Sequence, residues 1–447
     1  MENNVDLTKD NVTKLFLKYL IPSIASTLVL SLCILFDTIF IARGVGSEGL
    51  AALNIAIPLF SILIGTGLLF GIGGAAAFSI SMGQKRQEQA KVFFTHSVIM
   101  ACVVGLLFSI IGLLFSERIS YLLGATSENI GLVNGYVGIL LPFGFFFLVN
   151  QTVAVFVRND QAPKLAMWSM IIGNVINIVL DALFIFHFQW GMKGAAIATG
   201  IANAVSLLIL CIHFFSKENR LVFIRVMPHY KTVRRIIGNG FSSFILELSF
   251  GIVIFAFNTV LLSIKGTLAV SAYSIIANVS IIFIAIFIGV SQAMQPIVSV
   301  NYGARKKERV QEVLRFAIYI SLGLSLFFFG VGMLFPHWIV SLFTPDSQEL
   351  IDITVQGIYI YFTGFLFTGI NIIMAAYFQA IEYRMYATIL TMSRGVIFIL
   401  LGLIIFPNLF GILGVWMTGP LAELLTFGCM LFLAVRVKQQ VKKRSIE

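Results

Sequence analysis

This sequence is short of charge: 11% of its 447 residues are charged and 20 side chains are acidic. A soluble domain of this size carries about 25% charge, so an ordinary water-soluble enzyme is excluded. Cysteine is scarcer still, with four residues. Cys33, Cys102, Cys211 and Cys429 all lie in apolar runs with no C-x-x-C or other metal-ligand spacing, which leaves them as small core hydrophobes. There is no Walker A motif, no H-E-x-x-H and no Ser/His arrangement in a plausible loop, and the five histidines are scattered near span ends. No enzyme, metal site or cofactor is therefore expected. Nor is there a cleavable signal peptide, because the first apolar run, 19–42, is too long and no A-x-A site follows it; the N-terminus is expected to be retained.

Apolar side chains are present in excess: 59% of the residues are hydrophobic, 43 side chains are Phe, and the mean hydropathy is +0.97. The chain is expected to be an all-α polytopic membrane protein. Apolar runs between charge clusters and Gly/Pro/Asn turns predict twelve spans near 18–42, 53–81, 92–115, 132–157, 165–187, 194–215, 239–264, 268–299, 313–335, 350–378, 386–406 and 413–435. Of the 30 Lys and Arg, 25 fall in the tails and even-numbered loops and four (Arg43, Arg118, Lys193, Lys265) in the odd-numbered loops, while Arg394 lies inside span eleven. The positive-inside rule then places both termini in the cytoplasm of a multi-pass plasma-membrane protein. That sorting also accounts for the net charge of +10, so no basic patch is left for nucleic acid.

The chain repeats itself. Gly83-Gln-Lys-Arg-Gln-Glu88 is echoed in the second half by Gly303-Ala-Arg-Lys-Lys-Glu308, and Gly191-x-x-Gly194 by Gly411-x-x-Gly414 at the same offset. Ordered matches at one offset, here called the repeat offset, imply duplication. Each half has six spans, so the halves share one topology and are related by a pseudo-two-fold axis along the membrane normal, as in parallel-repeat transporters. The expected division is an N-lobe over 1–215, a cytoplasmic linker over 216–238 and a C-lobe over 239–447, with alternating access through a central cavity.

Four acids lie within spans, where an ionisable group costs roughly 2.5–3.5 kcal/mol and needs a partner or a purpose: Asp37, Asp181, Glu247 and Glu423. Asp37 shares a face of span one with Ser23, Thr27, Ser31 and Thr38, and Pro22 permits a bend below it. Asn174, Asn177 and Asp181 form one stripe of span five; Thr199 and Asn203 of span six complete a polar pocket, with Asn150 and Gln151 of span four lining the substrate cavity. Two carboxylates among amides in a low-dielectric pocket form a site for a proton or small cation, the alternative being an interhelical polar clamp. Glu247, with Ser243 and Asn258 near the same face of span seven, forms a possible second site. Arg394 and Glu423 read as a structural buried ion pair, and Gly67-x-x-x-Gly71 as close helix packing.

With these residues in place, the chain resembles the multidrug and toxic compound extrusion (MATE) transporters over essentially its whole length. The segments that carry the resemblance are Phe36-Asp-Thr-Ile-Phe-Ile41 with Gly49-Leu-Ala-Ala52, the run from Phe156 to Lys164, and Asn174-Val-Ile-Asn177-Ile-Val-Leu-Asp181 followed by Gly191-Met-Lys-Gly194-Ala-Ala-Ile-Ala-Thr199. The resemblance implies two six-helix lobes around a V-shaped cavity, and export of organic cations and other amphipathic drugs in exchange for H+ or Na+. By motif position Asp37 and Asp181 look like the coupling acids, Asn177 and Thr199 their neighbours, and Pro22 the span-one bend. Ala182 departs from the Pro that family members often carry there. Span ten has no acid opposite Glu247 except Asp352 at its extreme end, which favours the bacterial DinF-like branch and H+ over Na+ coupling. The rival readings are a Na+-coupled antiporter and a flippase of a lipid-linked precursor; the latter predicts a cationic cavity. Both lobes lie in one chain, so a monomer among membrane lipids is the expected working unit.

Overall fold

The structure, a computed structural model, describes residues 6–227, 229–343 and 347–443. Among the described residues every regular element is helical. Hydrocarbon offers the backbone no hydrogen-bond partner, so each crossing segment satisfies its own N–H and C=O groups internally. Eleven helices are long and apolar enough to cross a membrane. In the first half these are α1 Val12–Gly44, α2 Ser47–Gly83, α3 Gln87–Leu122, α4 Ile130–Asn159, α5 Pro163–His187 and α6 Gly191–Phe215.

The seventh, Tyr230–Gly303, has 74 residues and would reach about 110 Å if straight, several times the thickness of a bilayer core. It reverses instead at Lys265 and Gly266; Gly266 takes φ 66°, a left-handed conformation open to glycine without a Cβ penalty. The limbs fold back so that the rings of Phe257 and Tyr273, on either side of the reversal, stack with centroids at 4.5 Å. These limbs are α7 (230–264) and α8 (267–303). Lys307–Leu334 (α9), Gln348–Ala380 (α10), Arg384–Phe410 (α11) and Ile412–Arg436 (α12) follow, giving twelve crossings. The duplication is written in the backbone: Lys85 (φ 62°) and Arg305 (φ 58°), and Gly191 (φ 53°) and Gly411 (φ 58°), share left-handed turns at the repeat offset.

The halves exchange their first helices at the base. Leu7, Val12, Leu15, Phe16, Tyr19 and Leu20 pack with Met294, Ile297, Phe378, Leu390 and Met430 of the second half. Reciprocally, Leu221 and Ile236 pack with Phe70, Phe94 and Phe156 of the first. This exchange explains why α1 begins well before the expected span: Asn11 Oδ1 accepts from Lys14 N at 3.2 Å, capping the helix, and Val12, Leu15 and Phe16 have a protein core to bury in. The same holds for α7, which starts at Tyr230 rather than 239. Before it, the connecting segment lies on the first half, with Phe223 against Phe94 at 4.8 Å and Ile224 N donating to Thr95 Oγ1 at 3.2 Å. α1 itself stays helical through Pro22.

Residues 6–9, 83–86, 159–161, 220 and 303–306 line one cleft, so the N-terminal segment and the loops after α2, α4, α6 and α8 share one face of the bundle, here called the terminal face. Beside this face the halves meet backbone to backbone. A Cβ on Gly83 would overlap Val300 O and one on Gly303 would overlap Ile80 O, a reciprocal pair at the repeat offset; Gly73 meets Ile236 O and Gly240 meets Leu69 O in the same way. Asn159 Nδ2 to Gln295 Oε1 at 3.2 Å adds a buried bond across the seam. Gly67 and Gly71 bring α2 onto α4, where Thr152 Oγ1 donates to Gly67 O at 3.0 Å, as expected of their spacing.

Candidate functional site

The polar stripe of α5 faces α1 and α6 because its other positions, such as Val175 and Val179, are apolar and exposed, which in a membrane protein is the face left for lipid. That orientation carries Asn177 and Asp181 into the first half, where they are 3% and 1% exposed. Asn177 Nδ2 donates to Asp181 Oδ2 at 3.1 Å and approaches Thr199 Oγ1 at 3.5 Å, while Thr199 Oγ1 donates to Ala195 O. From α1, Asp37 brings its carboxyl within hydrogen-bond reach of the Asp181 carboxyl. Two carboxyl groups in contact need a proton or a cation between them, since neither has a donor of its own to offer when ionised. Asp181 Oδ1 is buried with no hydrogen-bond donor among the described residues, and so is available to such an ion.

A second line of amides extends the site. Asn203 Nδ2 donates to Thr199 O at 2.9 Å, and Asn150 Nδ2 donates to Asn203 Oδ1 at 3.1 Å. These residues, with Gln151, Asn174, Phe60, Ile64, Phe147 and Met170, line a cavity of about 540 Å³ counting its mouth. Asp37, Asn150, Gln151, Asn174, Asn177, Thr199 and Asn203 thus line one space, and Asp181 stands behind it, held by Asn177. Of the α1 face, Thr38 is exposed and its hydroxyl donates to Ile34 O at 2.8 Å, outside this space.

Two participants carry no sequence signal. Cys33 Sγ donates to Asn177 Oδ1 at 3.0 Å and lies 3.9 Å from Asp37 Oδ1; the cysteine expected to be a plain core hydrophobe in fact orients the central amide. Tyr136 of α4, 5% exposed, is buried beside Thr199 and the two aspartates. The approach of Cys33 to Asp37 follows from their four-residue spacing on α1, whereas the bond to Asn177 and the place of Tyr136 arise only from helices distant in sequence.

The proposed grouping around Glu247 is not assembled. Ser243 Oγ takes a bond from Gln379 Nε2 at 2.8 Å instead, and Asn258 stands about 22 Å of helix beyond Ser243. The side chain of Glu247 makes no hydrogen bond or ion pair among the described residues, and its Cβ packs at the place where Gly65 leaves room. Arg394 and Glu423 do pair, at 2.7 Å from Nη2 to Oε1, and Asn371 Nδ2 donates to Glu423 Oε2 at 2.7 Å.

This pair lines the wall of a second cavity, about 870 Å³ with its mouth, between α7, α8, α10, α11 and α12. It is the duplicate of the first. Leu30, Ile34, Ile64 and Asn203 of the first cavity become Phe250, Ile254, Ile284 and Glu423 of the second, each shifted by the repeat offset, while in α11 the π-helical turn Ser393–Ile397 slips the register so that Gly173 pairs with Gly395. The carboxyl pair has no duplicate, because Phe257 stands at the position equivalent to Asp37 and, across that slip, buried Leu403 at the position equivalent to Asp181. No cluster of His, Cys, Asp and Glu suited to a metal ion occurs among the described residues.

Known proteins of the same build bear on this arrangement. The chain is 27% identical over 423 residues to the multidrug export protein MepA of Staphylococcus aureus strain MSSA476, covering 93% of this chain and 92% of that one. It is 26% identical over 420 residues to MepA of Staphylococcus saprophyticus, with the same coverage. A solved MATE structure in complex with MaL6 superposes with a TM-score of 0.91 at 25% identity, covering 99% of this chain and 100% of the other. A MOP superfamily transporter from Pyrococcus furiosus, described as having a binding pocket of reversed polarity, superposes with a TM-score of 0.89 at 25% identity over 98% of each chain. The MatE family model matches twice, over residues 22–183 and 242–404, and its two starts are separated by the repeat offset. The matches take in well over half of the sequence, and the chain belongs to the MatE family of multidrug and toxic compound extrusion transporters.

Proposed function

We propose that this protein is a secondary active antiporter that expels lipophilic organic cations in exchange for protons by alternating access, as a single chain in the plasma membrane with both termini in the cytoplasm. The observation that carries this reading is the contact between the carboxyls of Asp37 and Asp181. One proton lodged between them relieves the repulsion of two carboxylates that have lost their water. A lipophilic cation entering the amide-lined cavity meets Phe60, Phe147 and Met170, surfaces that hold apolar cations by polarizability and ring charge, and competes for the same negative charge. Proton and drug then exclude one another, and exchange follows from that competition. The crowding of basic residues on the terminal face supports the proposed orientation.

The test uses liposomes with an imposed pH gradient and ethidium as the lipophilic cation. Wild type is expected to release protons when ethidium is added, and Asp37→Asn and Asp181→Asn are each expected to reduce that flux to the protein-free level. Unaltered flux in both variants would move coupling to Glu247 or to Na+. Absence of any response from wild type would bring the flippase of a lipid-linked precursor forward.

A further inference from the structure

The cleft on the terminal face encloses about 1800 Å³ with its mouth and is lined from both halves. Six bases converge on it, Lys9, Lys85, Arg86, Arg220, Arg305 and Lys306, against two acids, Asp6 and Asp160. Both acids are committed. Asp6 Oδ1 accepts from Thr8 N at 2.9 Å and from Thr8 Oγ1 at 2.7 Å, and its other oxygen lies 3.6 Å from Lys9 Nζ. Asp160 Oδ2 is held by His213 Nε2 and Arg220 N, each at 2.8 Å. Of the bases, Lys306 Nζ donates to Thr8 O at 2.8 Å. The side chains of Lys85, Arg86 and Arg305 are exposed and make no hydrogen bond or ion pair among the described residues. Sorting of charge across a membrane accounts for the side on which these bases lie, but not for their convergence on one concave space. Lys85 and Arg305 are a repeat-related pair, each following its helix in a left-handed turn at φ 62° and 58°. The next residue's N–H closes the turn on the helix, Arg86 N to Ser81 O and Lys306 N to Asn301 O, each at 2.9 Å. Glycine is the usual residue at that position, and both copies carry a base there instead. The approach of Gly83 to Val300 O and of Gly303 to Ile80 O brings the two turns to the same seam. Closing the terminal face therefore gathers like charges from both halves, and neither acid of the cleft is left over to neutralise them.

We propose that this cleft is a binding site for a multiply charged phosphate anion, which accepts from Lys85 and Arg86 of the first half and from Arg305 of the second and so bridges the seam. A guanidinium presents a planar fork of donors to phosphate oxygens, and an ammonium a compact charge. Together they fit a diphosphate, whose two equivalent ends match the pseudo-two-fold relation of Lys85 and Arg305. The bound anion offsets the repulsion between the halves. Because it touches both, it binds best when the terminal face is closed, and a ligand that prefers one of two arrangements shifts the protein towards it. A soluble diphosphate and a phospholipid with a phosphate monoester headgroup both offer this chemistry, and the experiment separates them. The site is distinct from the cavities within the two halves, and it does not depend on the antiport reading.

Inorganic pyrophosphate is titrated into the full-length protein in phosphatidylcholine nanodiscs and followed by isothermal calorimetry, without divalent cations and at constant ionic strength. Wild type is expected to bind it saturably. Lys85→Gln and Arg305→Gln are each expected to weaken binding about tenfold or more, the scale of one hydrogen bond to a charged group. Lys217→Gln removes an exposed base of the connecting segment that lies outside the cleft, and is expected to leave the affinity unchanged. All three side chains are exposed, so their replacement leaves the cores intact. Absence of saturable binding to wild type would overturn the site, and an equal loss in Lys217→Gln would reduce it to net charge. Loss in only one of the two repeat-related variants would overturn the bridge between the halves. Nanodiscs carrying phosphatidic acid are then compared with nanodiscs carrying the same share of phosphatidylglycerol. Equal pyrophosphate affinity in the two assigns the site to a soluble anion, and weaker binding with phosphatidic acid assigns it to the monoester headgroup.

Discussion

Alanine at both Gly83 and Gly303 is expected to drive the two halves apart at the terminal face. Each new methyl would fall on a backbone carbonyl oxygen, Val300 O or Ile80 O, and a carbonyl held in a helical hydrogen bond has no rotamer by which to withdraw. Ordinary helix pairs sit roughly 8–10 Å apart, and glycine permits the closer approach seen here. Overpacking a fitted interface costs about 1–3 kcal/mol per site. Two such sites acting on one seam amount to about 2–6 kcal/mol, and each step of about 1.4 kcal/mol is tenfold in the equilibrium between closed and open arrangements. The overlaps fall on backbone atoms of the seam, and the side chains that build the two cores are unchanged, so the expected outcome is a change of conformation and not unfolding. Spin labels at Gln87 and Lys307, both exposed and equivalent under the repeat, in a background with Cys33, Cys102, Cys211 and Cys429 replaced by serine, report it. The distance distribution should move from one short population to a longer one by several ångströms. If the short population persists in the double variant, the glycine seam is not what holds this face closed, and the buried Asn159–Gln295 bond and the exchanged helix bases carry that role.

How much of this was legible in the sequence depended on whether a feature is set along one helix or between several. The crossing pattern follows from apolar runs and the sorting of Lys and Arg, and the loops that this sorting placed together do line one cleft. The repeat was equally accessible, since paired turns such as Lys85 and Arg305 need the same left-handed backbone and therefore similar local sequences. Stripes on α5 and α6 located Asn177, Asp181, Thr199 and Asn203 because the spacing of a helix fixes which side chains share a face. The same reasoning misplaced the group around Glu247: a shared face does not say what packs against it, and Gln379, far away along the chain, takes Ser243. The bond from Cys33 to Asn177 and the place of Tyr136 were invisible for the same reason. The exchange of α1 and α7 between the halves was also hidden, because a division drawn along the chain cannot record that Phe16 and Ile236 are each buried in the other half's core.

The other large effect concerns stability and turns on an asymmetry of chemistry at Arg394 and Glu423. Glu423→Gln is expected to destabilise the protein by about 3–5 kcal/mol, the usual consequence of leaving one member of a buried pair without its partner. Arg394 has no second acid within an ion-pair distance among the described residues, and a guanidinium does not shed its proton in a protein. The charge would thus stay buried against Phe250, Ile284 and Phe365. Arg394→Gln is expected to cost less, because a glutamate deprived of its arginine can take up a proton, and Asn371 still donates to it at 2.7 Å. With both replaced, most of the loss should return: neither glutamine brings a charge out of water, and their amides can bond to each other and to Asn371. The two single variants and the double form a closed cycle whose coupling energy separates the pair from its neighbours. Thermal unfolding of the detergent-solubilised protein, followed for all four forms, should rank wild type and double variant above Arg394→Gln, and Arg394→Gln above Glu423→Gln. Additive losses would mean that the two side chains act independently despite the 2.7 Å contact. The recovery of the double variant, in contrast, would show that the second cavity carries its two charges at no net gain in stability.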